Sequence, residues 1–295
     1  MKPGPECLRC LITTRLKEVE KSSLSDTEKF IVSKMIAGKI LELFNPDVEL
    51  TKLATSIFKY SVSLAPSIIE YYRLVKKASN KKALESLSLH REYAGKLDGY
   101  ERFEYLVKLS AIANLIDYGV ADHNPVENTL TPKTIIEYPV VVNDISKLYS
   151  VLSRGGKTIA WLFDNSGEVV YDTLLVSEIK SLGNKVYGLV KEEPGFQNDV
   201  TISDALELQL DKLLDKLVVY GSTSSIHIEA LNNRVKEVLG EVDLIIAKGM
   251  SHYEYLSEVD LGKPVCFILI PKCDVVARAI KEGSKGKIVV LCRGV

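Results

Sequence analysis

"KTIAWLFDNSGEVVYDTLLVSEIKSLGNKVYGLV", residues 157 to 190, sets the fold class of this chain. Two short apolar runs, 157–163 and 184–190, flank TLLVSEIKSLG, whose apolar residues recur at helical spacing. Strand, helix, strand at this interval reads as a unit whose two strands run parallel. The pattern repeats downstream. Runs rich in valine and isoleucine stand at 216–221, 243–249, 263–270 and 287–292, with the helix-like segments SDALELQLDKLLDK and HIEALNNRVKEVLG among them. The expected fold is α/β: a doubly wound, mostly parallel, Rossmann-like sheet in a three-layer α/β/α arrangement.

Upstream, from residue 15 to about 120, the period is helical throughout. DTEKFIVSKMIAGKILELF places apolar residues three and four apart, with Asp26 and Thr27 as candidate caps. Gly95 and Gly99 mark a turn between helices. The polar stretch ADHNPVENTLTPKT (121–134) reads as a connector. The expected organisation is a helical domain, 1–134, followed by an α/β domain, 135–295.

Charge narrows the choice of partner. The 38 lysines and arginines nearly balance 39 aspartates and glutamates, which gives no electrostatic case for nucleic acid or an anionic membrane. A small molecule is the expected partner. No apolar run approaches the roughly 20 residues of a membrane span, and MKPGPECLRC lacks the apolar core of a secretory leader. Five cysteines, an odd count, do not suggest a secreted disulfide scaffold. A cytoplasmic location is the expectation; the oligomeric state is left open.

In open parallel sheets, ligands collect beyond the carboxyl ends of the strands. Asp164 and Asn165 follow the run 157–163, and Asn198 and Asp199 follow 184–190 after a short loop. STSS (222–225), KGMSHYE (248–254) and Pro271-Lys272 stand after the next three runs. Taken singly, an Asp-Asn pair after a strand is more often a turn or cap. Polar groups at five successive strand ends make a constellation.

Asp164, Asn165 and Asp199 are hard oxygen ligands of the kind Mg²⁺ or Mn²⁺ prefers, and Mg²⁺ is content with one or two carboxylates plus waters and phosphate oxygens. Lys248 and Lys272 carry point charges suited to phosphate. Backbone amides around Gly249 and the hydroxyls of Ser222 to Ser225 can donate to the same anion. The set suggests metal-assisted phosphoryl chemistry, with Asp164 and Asp199 as the catalytic pair. Three other chemistries fit less well. A haloacid-dehalogenase-type site wants Asp-x-Asp, and Ser166 stands at the second position. No Gly-x-Gly-x-x-Gly or Walker-type loop occurs, and SRGGKT (153–158) precedes a strand instead of a helix.

Five motifs in order now carry a resemblance: AIANLIDYG (111–119), DNSGEVVYD (164–172), NDVTISD (198–204), DLIIAKGMSHYEYL (243–256) and PKCDVVA (271–277). The chain resembles the metal-dependent damage-control phosphatase family, first catalogued as domain of unknown function eighty-nine. ECLRC (6–10) matches the Cys-x-x-Cys of its prokaryotic-type branch. The resemblance implies a helical part packed on an α/β domain, and hydrolysis of small phosphomonoesters such as sugar phosphates or damaged phosphorylated metabolites. It implies a divalent cation (Mn²⁺, Mg²⁺, Co²⁺ or Ni²⁺) on Asp164, Asn165 and Asp199. It further implies phosphate or substrate contacts at Lys248, Gly249 and Lys272, with Glu168 matching the acidic residue after the Asn. The family usually has Gly-Asn where this chain has Ser251-His252, which leaves His252 to donate in that Asn's place or to alter substrate choice. It has Asp-Pro where Ala65-Pro66 stands.

Asn114 and Asp117, three apart on one helical face, either reach the metal site or bond at the domain junction. Cys7 and Cys10 lack the second Cys/His pair a structural zinc needs. Cys266, inside an apolar run, is expected to pack. Two rival functions remain: a non-catalytic binder of a phosphorylated metabolite, and a carboxyl methyltransferase on a Rossmann-like sheet.

Overall fold

The computed structural model describes residues 1–115 and 130–295. Asp117 and most of the expected connector lie outside the described residues. Helices come first: α1 (Pro5–Glu20), α2 (Asp26–Leu43), α3 (Leu50–Leu64), α4 (Ser67–Ala94), α5 (Gly99–Ala113) and α6 (Pro132–Glu137). The alternating part follows with β1 (Val140–Asn143), α7 (Ile145–Leu152), β2 (Thr158–Leu162), α8 (Glu168–Ser181) and β3 (Lys185–Val190). It continues through α9 (Ile202–Glu207), α10 (Leu210–Leu213), β4 (Lys216–Val219), α11 (Asn233–Glu241) and β5 (Leu244–Lys248). The chain closes with α12 (Gly249–Leu256), β6 (Val265–Leu269), α13 (Asp274–Ile280) and β7 (Ile288–Arg293).

The sheet order is β1-β7-β6-β5-β2-β3-β4. Only the β6–β7 pairing is antiparallel among the described strands. The expected mostly parallel α/β sheet is therefore present. Its inner strands β2, β3, β5 and β6 are buried on both faces, as continuous apolar runs require, and alternate residues feed two separate cores. Ile159, Trp161, Leu244 and Ile246 join the core under α5, α7 and α8. Ala160, Leu162, Ile245 and Ala247 join the one under α11, α12 and α13. A third core ties α1, α2 and α3 together, and Phe196 enters it from the loop after β3.

Local chemistry moves several expected boundaries. α1 begins at Pro5, ten residues before the helical pattern was expected, because proline suits a first helical position. Ser25 caps α2 in place of Asp26 or Thr27: Glu28 bonds back to the Ser25 N–H at 2.8 Å, closing a capping box. SDALELQLDKLLDK breaks into α9 and α10, with Gln209 left-handed between them. HIEALNNRVKEVLG makes a short 3-10 turn at Ile228–Ala230 and becomes α-helical at Asn233, where the Asn232 side chain accepts from Val235 N–H. β1 went unanticipated, being a four-residue edge strand. The expected division at residue 134 falls within α6, and α5 shares a core with α8 and the sheet.

Cys266, expected only to pack, is disulfide-bonded to Cys292. The antiparallel register of β6 and β7 sets the two directly opposite each other. Cys7, Cys10 and Cys273 are free thiols.

Candidate active site

Register brings the site together. Leu162 of β2 pairs with Ala247 of β5 on one side and Leu189 of β3 on the other. Two residues further along each chain, Asp164, Gly249 and Lys191 therefore stand level beyond the sheet. The chain leaves β2 toward β3, while β5 lies on β2's other flank; this is the switch point where doubly wound sheets open a crevice. Gly249 makes the approach possible. Its φ is +77°, and a Cβ built there would meet Asp164 Oδ2 at 1.8 Å, so a carboxylate occupies the space any other residue would fill.

Backbone bonds fix the facing loop. Ser166 N–H donates to the Asn198 carbonyl at 2.9 Å and Val200 N–H to that of Asp164 at 2.8 Å, around a bridge pairing Asn165 with Asp199. The side chains of 164, 165 and 199 are thus set by main-chain geometry. Asn165 Nδ2 donates to Asp164 Oδ2 at 2.7 Å and Glu168 Oε2 at 3.3 Å. Asn114, at the end of α5, donates to the same two oxygens at 2.9 and 2.8 Å. With its nitrogen so committed, Asn165 presents its carbonyl oxygen as the atom a cation can take.

Two buried lysines stand behind this cluster. Lys191 Nζ lies 3.1 Å from Asp199 Oδ2 and 4.8 Å from the Tyr220 ring centre. It also donates to the Thr223 carbonyl. Burial draws its ammonium below the ordinary lysine range, against the pull of Asp199 and Asp164. Lys248 donates to Glu168 at 2.6 Å, to Asp172 at 2.8 Å and to the Ser110 carbonyl at 2.9 Å. Against burial, Asp172 and Glu168 hold its ammonium above the ordinary range.

A cavity of about 170 Å³ opens on Asp164, Asn165 and Asp199. Residues of α1, Cys7, Thr14 and Arg15 among them, line it too. Cys273 lines it as well; burial pushes the Cys7 thiol up to about 12 and the Cys273 thiol to about 11, so both are protonated at neutral pH. Among the described residues, no group of three or more His, Cys, Asp or Glu side chains is placed to hold a metal. Two carboxylates and one carboxamide form a smaller set, which suits a hard cation that keeps several waters.

The family profile of the damage-control phosphatase ARMT1-like domain matches residues 4–288. This chain belongs to that family. A damage-control phosphatase of Archaeoglobus fulgidus is 33% identical over 286 residues, covering 95% of this chain and 96% of its own. An uncharacterized protein of Methanocaldococcus jannaschii, MJ0202, is 28% identical over 287 residues (95% and 92%). The damage-control phosphatase of Pyrococcus horikoshii is 27% identical over 297 residues (99% and 98%). A crystal structure of a P. horikoshii protein of the family once numbered eighty-nine superposes with a TM-score of 0.83 at 24% identity, over 99% of both chains.

Within this damage-control phosphatase-family fold, the residues picked from sequence separate into groups. Asp164, Asn165, Asp199 and Ser251 line the cavity, and the Ser251 hydroxyl donates to the Ser224 carbonyl at 2.7 Å. Asn114, Glu168, Lys248 and Gly249 gather around Asp164 but behind the cavity surface. Lys248, expected at phosphate, is fully buried and spends its three donors on protein. His252, expected at substrate, is fully buried too: Ser225 Oγ lies 3.1 Å from Nδ1 and Tyr220 Oη 3.4 Å from Nε2. Burial depresses its basicity far below the ordinary range. Lys272 is buried beyond β6, where its backbone N–H meets Met250 Sδ at 3.1 Å. Lys191 and Asp172 escaped the sequence reading. Lys191 was visible as the first residue after the run YGLV, at the level of Asp164 once β2 and β3 are set in register.

Proposed function

We propose that this protein is a divalent-metal-dependent phosphatase that hydrolyses small phosphomonoesters, sugar phosphates or damaged phosphorylated metabolites among them. The observation that carries the reading is the meeting of Asp164, Asn165 and Asp199 on one cavity at the sheet's switch point. Membership of the damage-control phosphatase family, and relatives bearing that name, support it.

Asp164, Asn165 and Asp199 would hold Mn²⁺, Mg²⁺, Co²⁺ or Ni²⁺, whose chemistry when bound is to polarise a phosphoryl oxygen. The close seat of Asp164 on Gly249 and the hard oxygen set fit such an ion. Asn114 and Asn165 aim the Asp164 carboxylate by donating to one of its oxygens. Lys191 offsets the charge of Asp199 from behind. Lys248 bonds to both Glu168 and Asp172 and offsets part of the negative charge gathered behind Asp164.

The test is phosphate release from a panel of phosphomonoesters, after chelation and after return of each cation. Metal-dependent turnover, lost in folded Asp164→Ala and Asp199→Ala, is the expected result. Full activity in either variant would remove the site assignment; tight binding of esters without turnover would favour the non-catalytic alternative.

A further inference from the structure

The cavity wall carries polar groups that the proposed chemistry leaves unused. Thr14 and Arg15 of α1 and Gln197 of the loop before Asp199 all line it, yet they are only 5%, 2% and 7% exposed. Arg15 lies against the rings of Phe58 and Phe196, at 5.1 and 5.8 Å. Its Nη1 sits 3.2 Å from Glu18 Oε2, an ion pair buried beneath the wall. Glu18 is held in turn by the Tyr72 hydroxyl at 2.6 Å and by Gln197 Nε2 at 3.2 Å. Arg15 Nε and the Thr14 hydroxyl, both buried, have no hydrogen-bond partner among the described residues.

Buried donors without partners cost free energy, and native proteins keep few of them. Gln197 adds a second sign of constraint: its φ of +51° is a left-handed conformation that residues other than glycine seldom adopt. Such outliers persist where surrounding structure imposes them, often at ligand clamps. Here the outlier sets the Gln197 nitrogen on Glu18 and Tyr72, which leaves its carbonyl oxygen as the acceptor it can offer.

We infer that Thr14, Arg15 and Gln197 form the subsite that reads hydroxyl groups on the alcohol portion of the phosphomonoester. The inference rests on the hydrolase reading and names what that reading leaves open. Its basis is a match of donors, acceptors and charge. Arg15 supplies N–H donors, Gln197 an acceptor, and Thr14 either. A substrate hydroxyl, itself donor and acceptor, satisfies such a mixed set. A second anion does not, because Glu18 already balances the charge of Arg15 and an added carboxylate or phosphate would be buried without a counter-charge. The Phe196 ring offers an apolar neighbour for the carbon skeleton.

The test compares a hexose monophosphate, phenyl phosphate and phosphoglycolate on the full chain with Mn²⁺, in wild type, Arg15→Gln and Thr14→Val. The quantity read is the ratio of kcat/KM for the hexose ester to that for phenyl phosphate, which cancels general losses. It is expected to fall about tenfold in Arg15→Gln and about threefold in Thr14→Val, mainly through KM. Thr14→Val keeps the side chain's shape, so it answers the question even where Arg15→Gln fails to fold; melting curves separate these cases. An unchanged ratio in a folded Thr14→Val, or a wild type that prefers phosphoglycolate to the hexose ester, would overturn the subsite. If wild type releases phosphate from none of the three, the hydrolase reading passes to the wider panel with each cation, and calorimetry decides the subsite alone. Hexose monophosphate binding weakened by Thr14→Val supports it; absent or unaltered binding refutes it.

Discussion

The α-carbon of Gly249 and the carboxylate of Asp164 are packed so tightly that a methyl group on the first would lie 1.8 Å from an oxygen of the second. Gly249→Ala must therefore both adopt a positive φ and evict the carboxylate. The backbone alone costs about 1–3 kcal/mol, and a displacement of order an ångström at a reacting centre costs about a hundredfold in rate. Denaturant melts and phosphate-release assays on the purified variant check both. Near-normal activity in Gly249→Ala would mean that Asp164 need not sit where it does.

Lys248 faces two carboxylates in a site closed to solvent. Lys248→Met leaves Glu168 and Asp172 buried together with no counter-charge, a loss expected at about 3–5 kcal/mol. Asp172→Asn does the opposite: one ammonium then faces one carboxylate, and the amide oxygen still accepts from Ser110. Its stability should stay within about 1 kcal/mol of wild type. Urea unfolding of both variants at neutral pH reads this contrast.

Lys191 and Asp199 make a second buried pair, with Asp164 close enough to be felt by the same ammonium. Removing the lysine as Lys191→Met leaves carboxylates that only a bound cation can offset. Metal-free Lys191→Met should melt well below wild type, by about 3 kcal/mol of stability or more. Saturating Mn²⁺ should recover a larger share of Tm in this variant than it adds to wild type. Equal Mn²⁺ shifts in the two proteins would detach Lys191 from the ion site.

His227 supplies a pH dependence. Burial holds its imidazole down to about 4, below the ordinary 6.5, and Thr51 Oγ1 lies 3.0 Å from Nε2. Between these values the unfolded chain binds a proton that the folded chain refuses, so stability falls as pH drops from about 6.5 toward 4. The loss from this residue is of order 3 kcal/mol by pH 4. His227→Gln should flatten that limb of the stability–pH curve in urea titrations, and an unchanged slope would exclude His227 as its source.

The sheet was legible because its strands are unbroken apolar runs ending in polar residues, and burial on both faces leaves no other use for such runs. Asp164, Asn165 and Asp199 were legible for the same reason: each follows a run at the edge where ligands gather. Depth was not legible. Lys248 is the last residue of β5 and His252 lies in α12, which begins at once, and both end up fully buried. Lys191 follows β3 directly, yet only the pairing of β2 with β3 reveals that it stands level with Asp164. The role of α1 at the cavity was invisible, because the carboxylates that share that cavity come roughly 150 residues later in the chain.

Asn114 and Ser110 reach the centre of the sheet's carboxylates from α5, a helix encoded before the first strand. Severed from that helix, the strand-bearing half would have an Asp164 without one of its two amide guides and a Lys248 short of one acceptor. The two halves are thus a poor substrate for recombination. Neither can be traded for a foreign module without rebuilding the centre, and evolutionary novelty in such a protein has to come from point changes along the walls of the cleft.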